Sequence, residues 1–270
     1  MRALGIGDNV VDKYVHLRTM YPGGNALNFS VFAKKAGAEA AFIGVFGDDN
    51  EGKHVVNTLR ELEIDISRCR YHSGENGCAR VTLEEGDRVF LGSNEGGVTR
   101  LHPITLSEDD KAYIQSFDII HTGLYSHTGH LLADLQGLSI PLSFDFSDDF
   151  EDEQVDRCIP FVDYAFFSCS HMTEEQTKEY LAAKRHHEGQ ILVATRGGDR
   201  SVAYDGEQFH YQTPEKIEAV DTMGAGDSYI TGFLLSHLTD KNIGAAMREG
   251  SKLAAQSCLV EGSFGFGVTY

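Results

Sequence analysis

The stretch Ala219-Val220-Asp221-Thr222-Met223-Gly224-Ala225-Gly226-Asp227-Ser228 sets paired glycines and an acid directly before an apolar-periodic run over 229–238. Glycines ahead of a helix let several backbone N–H groups converge on one point, and the helix N-terminus adds partial positive charge, so the pattern builds an anion site. Asp227 falls in the first helical turn, where the dipole favours a carboxylate. Next to a permanently bound phosphate it would repel. Next to a hydroxyl attacking a phosphoryl group it would be a general base within hydrogen-bond reach. The structural alternative for the same residues is a tight turn and an acidic helix start.

The remainder of the chain bounds what such a site can serve. Its 270 residues suffice for one large α/β domain with a sizeable core. The net charge of −18 comes from 23 Lys and Arg against 41 Asp and Glu, and no basic run forms the footprint that nucleic acid or an anionic membrane requires. Neither partner is expected. An acidic surface repels a nucleotide at long range, so a nucleotide site must depend on backbone donors, a few cations and a divalent metal. The five cysteines (Cys69, Cys78, Cys158, Cys169, Cys258) form no Cys-x-x-Cys pair and fit reduced thiols in a cytoplasmic protein. The N-terminus turns polar after a handful of residues, and no apolar run reaches about eighteen, so neither a signal peptide nor a membrane span is expected.

Positioning the site falls to short apolar runs that read as buried strands, at 3–6, 40–46, 118–121, 142–146, 164–167 and 191–195. Helical patterns lie between them, at 25–36 and 51–63, and again near the end at 225–238 and 242–260. This alternation predicts an α/β fold with a mostly parallel central sheet, helices on both faces, and ligands outside the carboxyl ends of the strands. Segments 79–83 and 88–91 read instead as a hairpin around 84–87, a candidate flap. A second hairpin is expected at 201–204 and 208–211, and 261–270 reads as a glycine-rich tail.

The run Asp221-Thr222-Met223-Gly224-Ala225-Gly226-Asp227 resembles the C-terminal signature of PfkB/ribokinase-family carbohydrate kinases. An N-terminal signature of that family is matched too, by Gly23-Gly24-Asn25-Ala26-Leu27-Asn28 and then Ile43-Gly44-Val45-Phe46-Gly47-Asp48-Asp49-Asn50-Glu51-Gly52. The resemblance spans essentially the whole chain. It implies a single ribokinase-like domain over 1–270, with a small β-lid formed by about 12–22 and 72–98, an ATP groove near the C-terminus, and Mg²⁺, with a monovalent cation as a further option. Carried over by position, Asp227 is the catalytic base and the amides of Gly224, Ala225 and Gly226 stabilise charge on the transferring group. Asp12, Asn9, Gly24, Asn28 and Arg88 are the candidate sugar contacts. Thr195, Arg196, Gly197, Thr222, Gly224, Gly226 and Cys258 are the candidate ATP contacts, with Ala254 and Ala255 on the adenine side. Turn and cap roles are the alternative for Asp12 and Arg196.

One departure concerns the metal. Where the family often carries Asn-x-x-Glu, this sequence has Ser168-Cys169-Ser170-His171-Met172-Thr173-Glu174-Glu175, which leaves Glu174 as the metal candidate with helix capping as its other role. His127 and His130 could share a helical face, yet they lack a matching carboxylate or thiolate motif. A dehydrogenase is disfavoured because Val10 replaces the third glycine after Gly5-Ile6-Gly7. A non-catalytic sugar sensor is disfavoured by the retention of Asp227 with its glycines. Within the family the sequence looks most like fructoselysine 6-kinases, which phosphorylate the 6-hydroxyl of a fructosamine; fructokinase and ribokinase activities are the alternatives. Asp8, Asp145 and Asp148 are candidates for such a substrate's ammonium group. A homodimer through the lid is a further possibility that the short 12–22 segment weakens.

Overall fold

The computed structural model describes residues 1–84 and 87–270, and the side chains of 83–88, Arg88 among them, lie outside that description. Fourteen strands are described: β1 (Arg2–Gly7), β2 (Val10–Tyr14), β3 (Thr19–Gly23), β4 (Glu39–Phe46), β5 (Arg70–Tyr71), β6 (Gly77–Glu84), β7 (Asp87–Ser93), β8 (Ile119–Gly123), β9 (Leu142–Asp145), β10 (Tyr164–Ser168), β11 (Ile191–Arg196), β12 (Asp199–Tyr204), β13 (Phe209–Gln212) and β14 (Val268–Thr269). The helices are α1 (Asn25–Lys35), α2 (Asn50–Glu61), α3 (Val98–Leu101), α4 (Glu108–Ile114), α5 (Leu132–Gln136), α6 (Asp152–Cys158), α7 (Glu174–Lys184), α8 (Ala225–Asp240) and α9 (Ile243–Ser257).

The central sheet runs β13-β12-β11-β10-β9-β8-β1-β4-β5. From β5 to β11 every neighbouring pair is parallel, and β12 and β13 close one edge antiparallel. Strands buried on both faces read as continuous apolar runs, which is why 40–46 and 191–195 carry so little polarity. The period of two still sorts their side chains. Ala3, Phe42, Ile119, Phe166 and Val193 pack with α1, α2, α8 and α9, whereas Leu4, Ile43, Ile120, Phe167 and Leu192 pack with the helices of the other face. Phe233 of α8 is fully buried and meets Phe166 edge-on at 5.5 Å, so the helix carrying Asp227 is seated on the sheet by its apolar face.

A second sheet, in the order β14-β3-β2-β6-β7, stands over one end of the first. The β2–β3 hairpin joins the β6–β7 hairpin through a parallel β2–β6 pairing, so the flap expected at 79–91 is one half of a larger lid. Its outer strand β14 pairs with β3 and comes from the tail that sequence alone showed only as glycine-rich. No described helix is long and apolar enough to cross a membrane.

Candidate active site

Where β1, β8, β9 and β11 end, the lid and the starts of α1 and α8 enclose a cleft of about 1560 Å³. Gly224 caps α8 in the left-handed region (φ 73°, ψ 5°), and a Cβ there would lie 2.7 Å from Cβ of Ser263. A Cβ on Gly226 would meet nothing within 4 Å, so at this turn the backbone is bare toward the cleft. Asp227 follows in the first turn, 7% exposed, and its Oδ2 accepts from Asn28 Nδ2 at 2.6 Å. Burial raises its carboxyl well above the ordinary value, Asp145, Asp8 and Asp12 add like-charge repulsion, and the Asn28 bond opposes them. An acid tuned upward beside an N-terminal glycine turn can take a proton from a hydroxyl, while of the three amides expected to serve an anion Ala225 N already donates to Thr222 O at 3.3 Å.

The opening turn of α1 supplies the opposite wall. Asp8 accepts from Asn25 N at 2.7 Å, Ala26 N at 3.1 Å and Ser126 Oγ at 2.6 Å, which makes it the cap of α1. It is therefore held mainly by the protein itself, with one acceptor position left open on Oδ2. Gly24 holds φ 114°, and a Cβ there would fall 2.9 Å from Cα of Asn9, so α1 can begin this close to the β1–β2 connection only with glycine. Asn25 Nδ2 donates to Asp145 Oδ2 at 2.8 Å. Burial pushes the Asp145 carboxyl up to about 6, opposed by the bonds from Ser147 N and Asn25. Asp12 is buried on β2 and lines the same cleft.

Two carbonyl oxygens here have no partner among the described residues. Asn9 is fully buried, donates from Nδ2 to Val45 O at 2.8 Å, and leaves Oδ1 unpaired. Asn28 gives its amide to Asp227 and to Ser263 Oγ at 3.2 Å, and its Oδ1 is likewise unpaired. A buried unpaired acceptor costs about 1–3 kcal/mol.

Toward the C-terminal side the cleft is lined by Thr195, Arg196, Gly197, Thr222, Ala254, Ala255 and Cys258. Ser251 joins them, its buried Oγ without a described partner. Arg196 is less free than its position in sequence suggests: Nη2 donates to Met172 O at 3.2 Å, and the guanidinium lies 3.9 Å from Glu174 and 3.6 Å from Asp199. Glu174, expected at a metal, instead grips Arg200, which donates to both of its oxygens, the Nη2 bond being 2.6 Å. That ion pair holds its carboxyl below the usual range. His130 Nε2 bonds to Ile104 O at 2.8 Å, whereas His127 lines the cleft. Among the described residues no three His, Cys, Asp or Glu side chains converge as metal ligands.

Asp221, the first acid of the glycine run, acts as a brace. Its Oδ2 accepts from Tyr14 OH of the lid at 2.5 Å and from Gly262 N at 2.9 Å, while Oδ1 accepts from Met223 N at 3.0 Å. Tyr14→Phe is expected to lower unfolding stability by about 1–3 kcal/mol, read as a shifted denaturant midpoint at unchanged m-value.

With this geometry in place, comparison with known proteins is decisive. The profile of pfkB family carbohydrate kinases matches residues 3–265. The chain belongs to that family. This pfkB kinase is 40% identical over 271 residues to the fructosamine kinase FrlD of Bacillus subtilis, covering 100% of the chain and 95% of that protein. It is 33% identical over 259 residues to the fructoselysine 6-kinase of Escherichia coli, covering 96% and 98% respectively. Its fold matches a putative ribokinase from Agrobacterium tumefaciens with a TM-score of 0.83 at 22% identity, over 98% of this chain and 93% of that one. Arabidopsis thaliana ribokinase, solved with ribose and ATP, matches at 0.81 and 17% identity, over 97% and 94%. The ribokinase-like architecture expected from the two signatures is therefore correct.

Sequence patterns passed over several site residues. Asn25 stands three residues before Asn28 in the run Gly23-Gly24-Asn25-Ala26-Leu27-Asn28, and that helical spacing was the available signal. Ser126 and Ser263 lie in loops brought in by tertiary packing, where no periodicity marks them.

Proposed function

We propose that this pfkB kinase transfers the γ-phosphoryl group of ATP to the 6-hydroxyl of a fructosamine such as fructoselysine. One observation carries the reading: a buried, proton-seeking Asp227 beside the bare glycine turn 224–226, in a cleft whose opposite wall is lined by Asn9 and Asn28. The two curated relatives act, by their names, on fructosamine and fructoselysine, and both align over nearly the full chain.

The sugar is held by Asp12, Asn9, Asn28 and the backbone at Gly24. Asp227 takes the proton of the attacking hydroxyl as its oxygen bonds to the γ-phosphorus. The bond from that phosphorus to the β–γ bridging oxygen breaks, ADP leaves, and Asp227 later returns its proton to solvent. The amides of Gly224 and Gly226 bear on the charge of the transferring group, and Thr195, Gly197 and the α9 wall take the rest of the nucleotide. Acidic side chains far outnumber the cations Arg196 and Lys216 along the described lining. A magnesium ion carried in on the nucleotide's phosphates suits such a cleft, since Mg²⁺ is commonly held through phosphates and water.

The test is a coupled ATP-consumption assay across fructoselysine, other C1-amino ketoses, fructose and ribose. The expected result is the highest kcat/KM for a C1-amino ketose. A preference for fructose or ribose would refute the substrate assignment, and sugar-independent turnover with every candidate would refute the kinase mechanism.

A further inference from the structure

The transfer described above leaves one buried acid without a task. Asp145 ends β9 inside the cleft, 5% exposed, with Oδ2 accepting from Asn25 Nδ2 and Oδ1 from Ser147 N, each at 2.8 Å. A carboxylate oxygen accommodates two donors, so each retains one acceptor position. Asn25 and Asn28 lie three residues apart at the start of α1, a spacing that places their side chains about 5–6 Å apart. One holds Asp145 and the other Asp227, so a single helical turn draws both acids together where water is scarce.

We propose that Asp145 determines specificity by accepting the ammonium group at C1 of an amino ketose, and that this positive charge in turn frees Asp227 to ionise. The proposal rests on the fructosamine reading and adds to it a link between substrate charge and the base. A ketose lacking the amine has a neutral hydroxyl at C1, whereas an amino ketose carries a secondary ammonium there, which in a desolvated cleft requires a carboxylate. The surroundings favour this exchange. Asp8 from the end of β1, Asp12 from β2 and Asp148 from the loop after β9 are all acidic. Beyond β8, burial pushes the Tyr125 phenol up to about 12, and on β8 it pushes the His121 imidazole down to about 3, so both are neutral at physiological pH. The guanidinium of Arg196 is engaged by Met172, Glu174 and Asp199. A cation on the substrate would thus relieve repulsion that the described side chains leave standing.

The sign follows directly. Asp227 acts as a base only when ionised, so activity is lost as pH falls through its pKa; neighbouring negative charge moves that limb upward and a bound cation moves it downward. In the unmodified enzyme the acidic limb of kcat should lie at lower pH with fructoselysine than with fructose. In Asp145→Asn the two limbs should coincide, and the fructoselysine-to-fructose ratio of kcat/KM should fall about 10- to 100-fold. Circular dichroism melts would check that the variant folds; should it not, the two-substrate pH comparison on the unmodified enzyme decides alone. Coincident limbs in the unmodified enzyme, or an unchanged ratio in Asp145→Asn, would overturn the role of Asp145 while leaving fructosamine phosphorylation intact. Absence of any fructoselysine phosphorylation would overturn both.

Discussion

Replacing Asp227 by asparagine is expected to lower kcat by about 10³-fold while KM for the sugar changes less than about threefold. The substitution is nearly isosteric. The new side chain can still offer a carbonyl oxygen to Asn28 Nδ2, so the 2.6 Å contact across the cleft need not break. What disappears is the capacity to take a proton, needed only as the hydroxyl attacks, so the loss belongs to the transition state and not to sugar binding. The acidic limb of the kcat profile should vanish with it, because the group whose protonation switches activity off is gone. Stability should hold or rise slightly, since an asparagine removes a buried carboxyl whose ionised form is opposed by burial and by Asp145, Asp8 and Asp12. Steady-state kinetics together with a thermal melt test this. A variant retaining more than a tenth of the original kcat would show that another group, or the phosphate itself, accepts the proton.

Much of this was legible in sequence because the site is built where local patterns are strongest. The glycine turn and its following helix sit in consecutive residues, and α8 begins at Ala225 as the pattern over 225–238 implies. The parallel strands were visible as apolar runs because burial on both faces leaves no room for polar alternation. Harder to see was the lid as a whole. β2 and β3 are only five residues each, and β14 has two, so pairing to distant strands creates them more than their own composition does. Glu174 shows the complementary failure. It is an acid at a suggestive position, and a nearby donor, the Arg200 guanidinium, claims it once the chain has folded. Spacing along the chain cannot reveal such a competitor.

The glycine turn makes a demand that the base does not, and Gly224→Ala isolates it. An L-residue at φ 73° is strained by about 1 kcal/mol or more, and the added Cβ would stand 2.7 Å from Cβ and 3.2 Å from Cα of Ser263. Either the start of α8 or the 263 segment must move. Ser263 Oγ also accepts from Asn28, which holds Asp227, so the shift passes from the anion-facing amides to the base. Displacement of about 1 Å at reacting groups costs about 100-fold in rate, and loss of one preorganised donor costs as much again in other enzymes. The expected outcome is a kcat reduced about 100-fold or more together with a lower melting temperature. Gly226→Ala separates the two effects. Its Cβ would enter open cleft with no protein atom within 4 Å, so the melting temperature should hold while KM for the nucleotide rises. If both variants instead kept the original kcat and nucleotide KM, and Gly224→Ala lost only stability, the turn would be a structural bend. The phosphate would then have to be held elsewhere in the cleft, and Asp227 would lose the neighbour that gives its proton transfer a purpose.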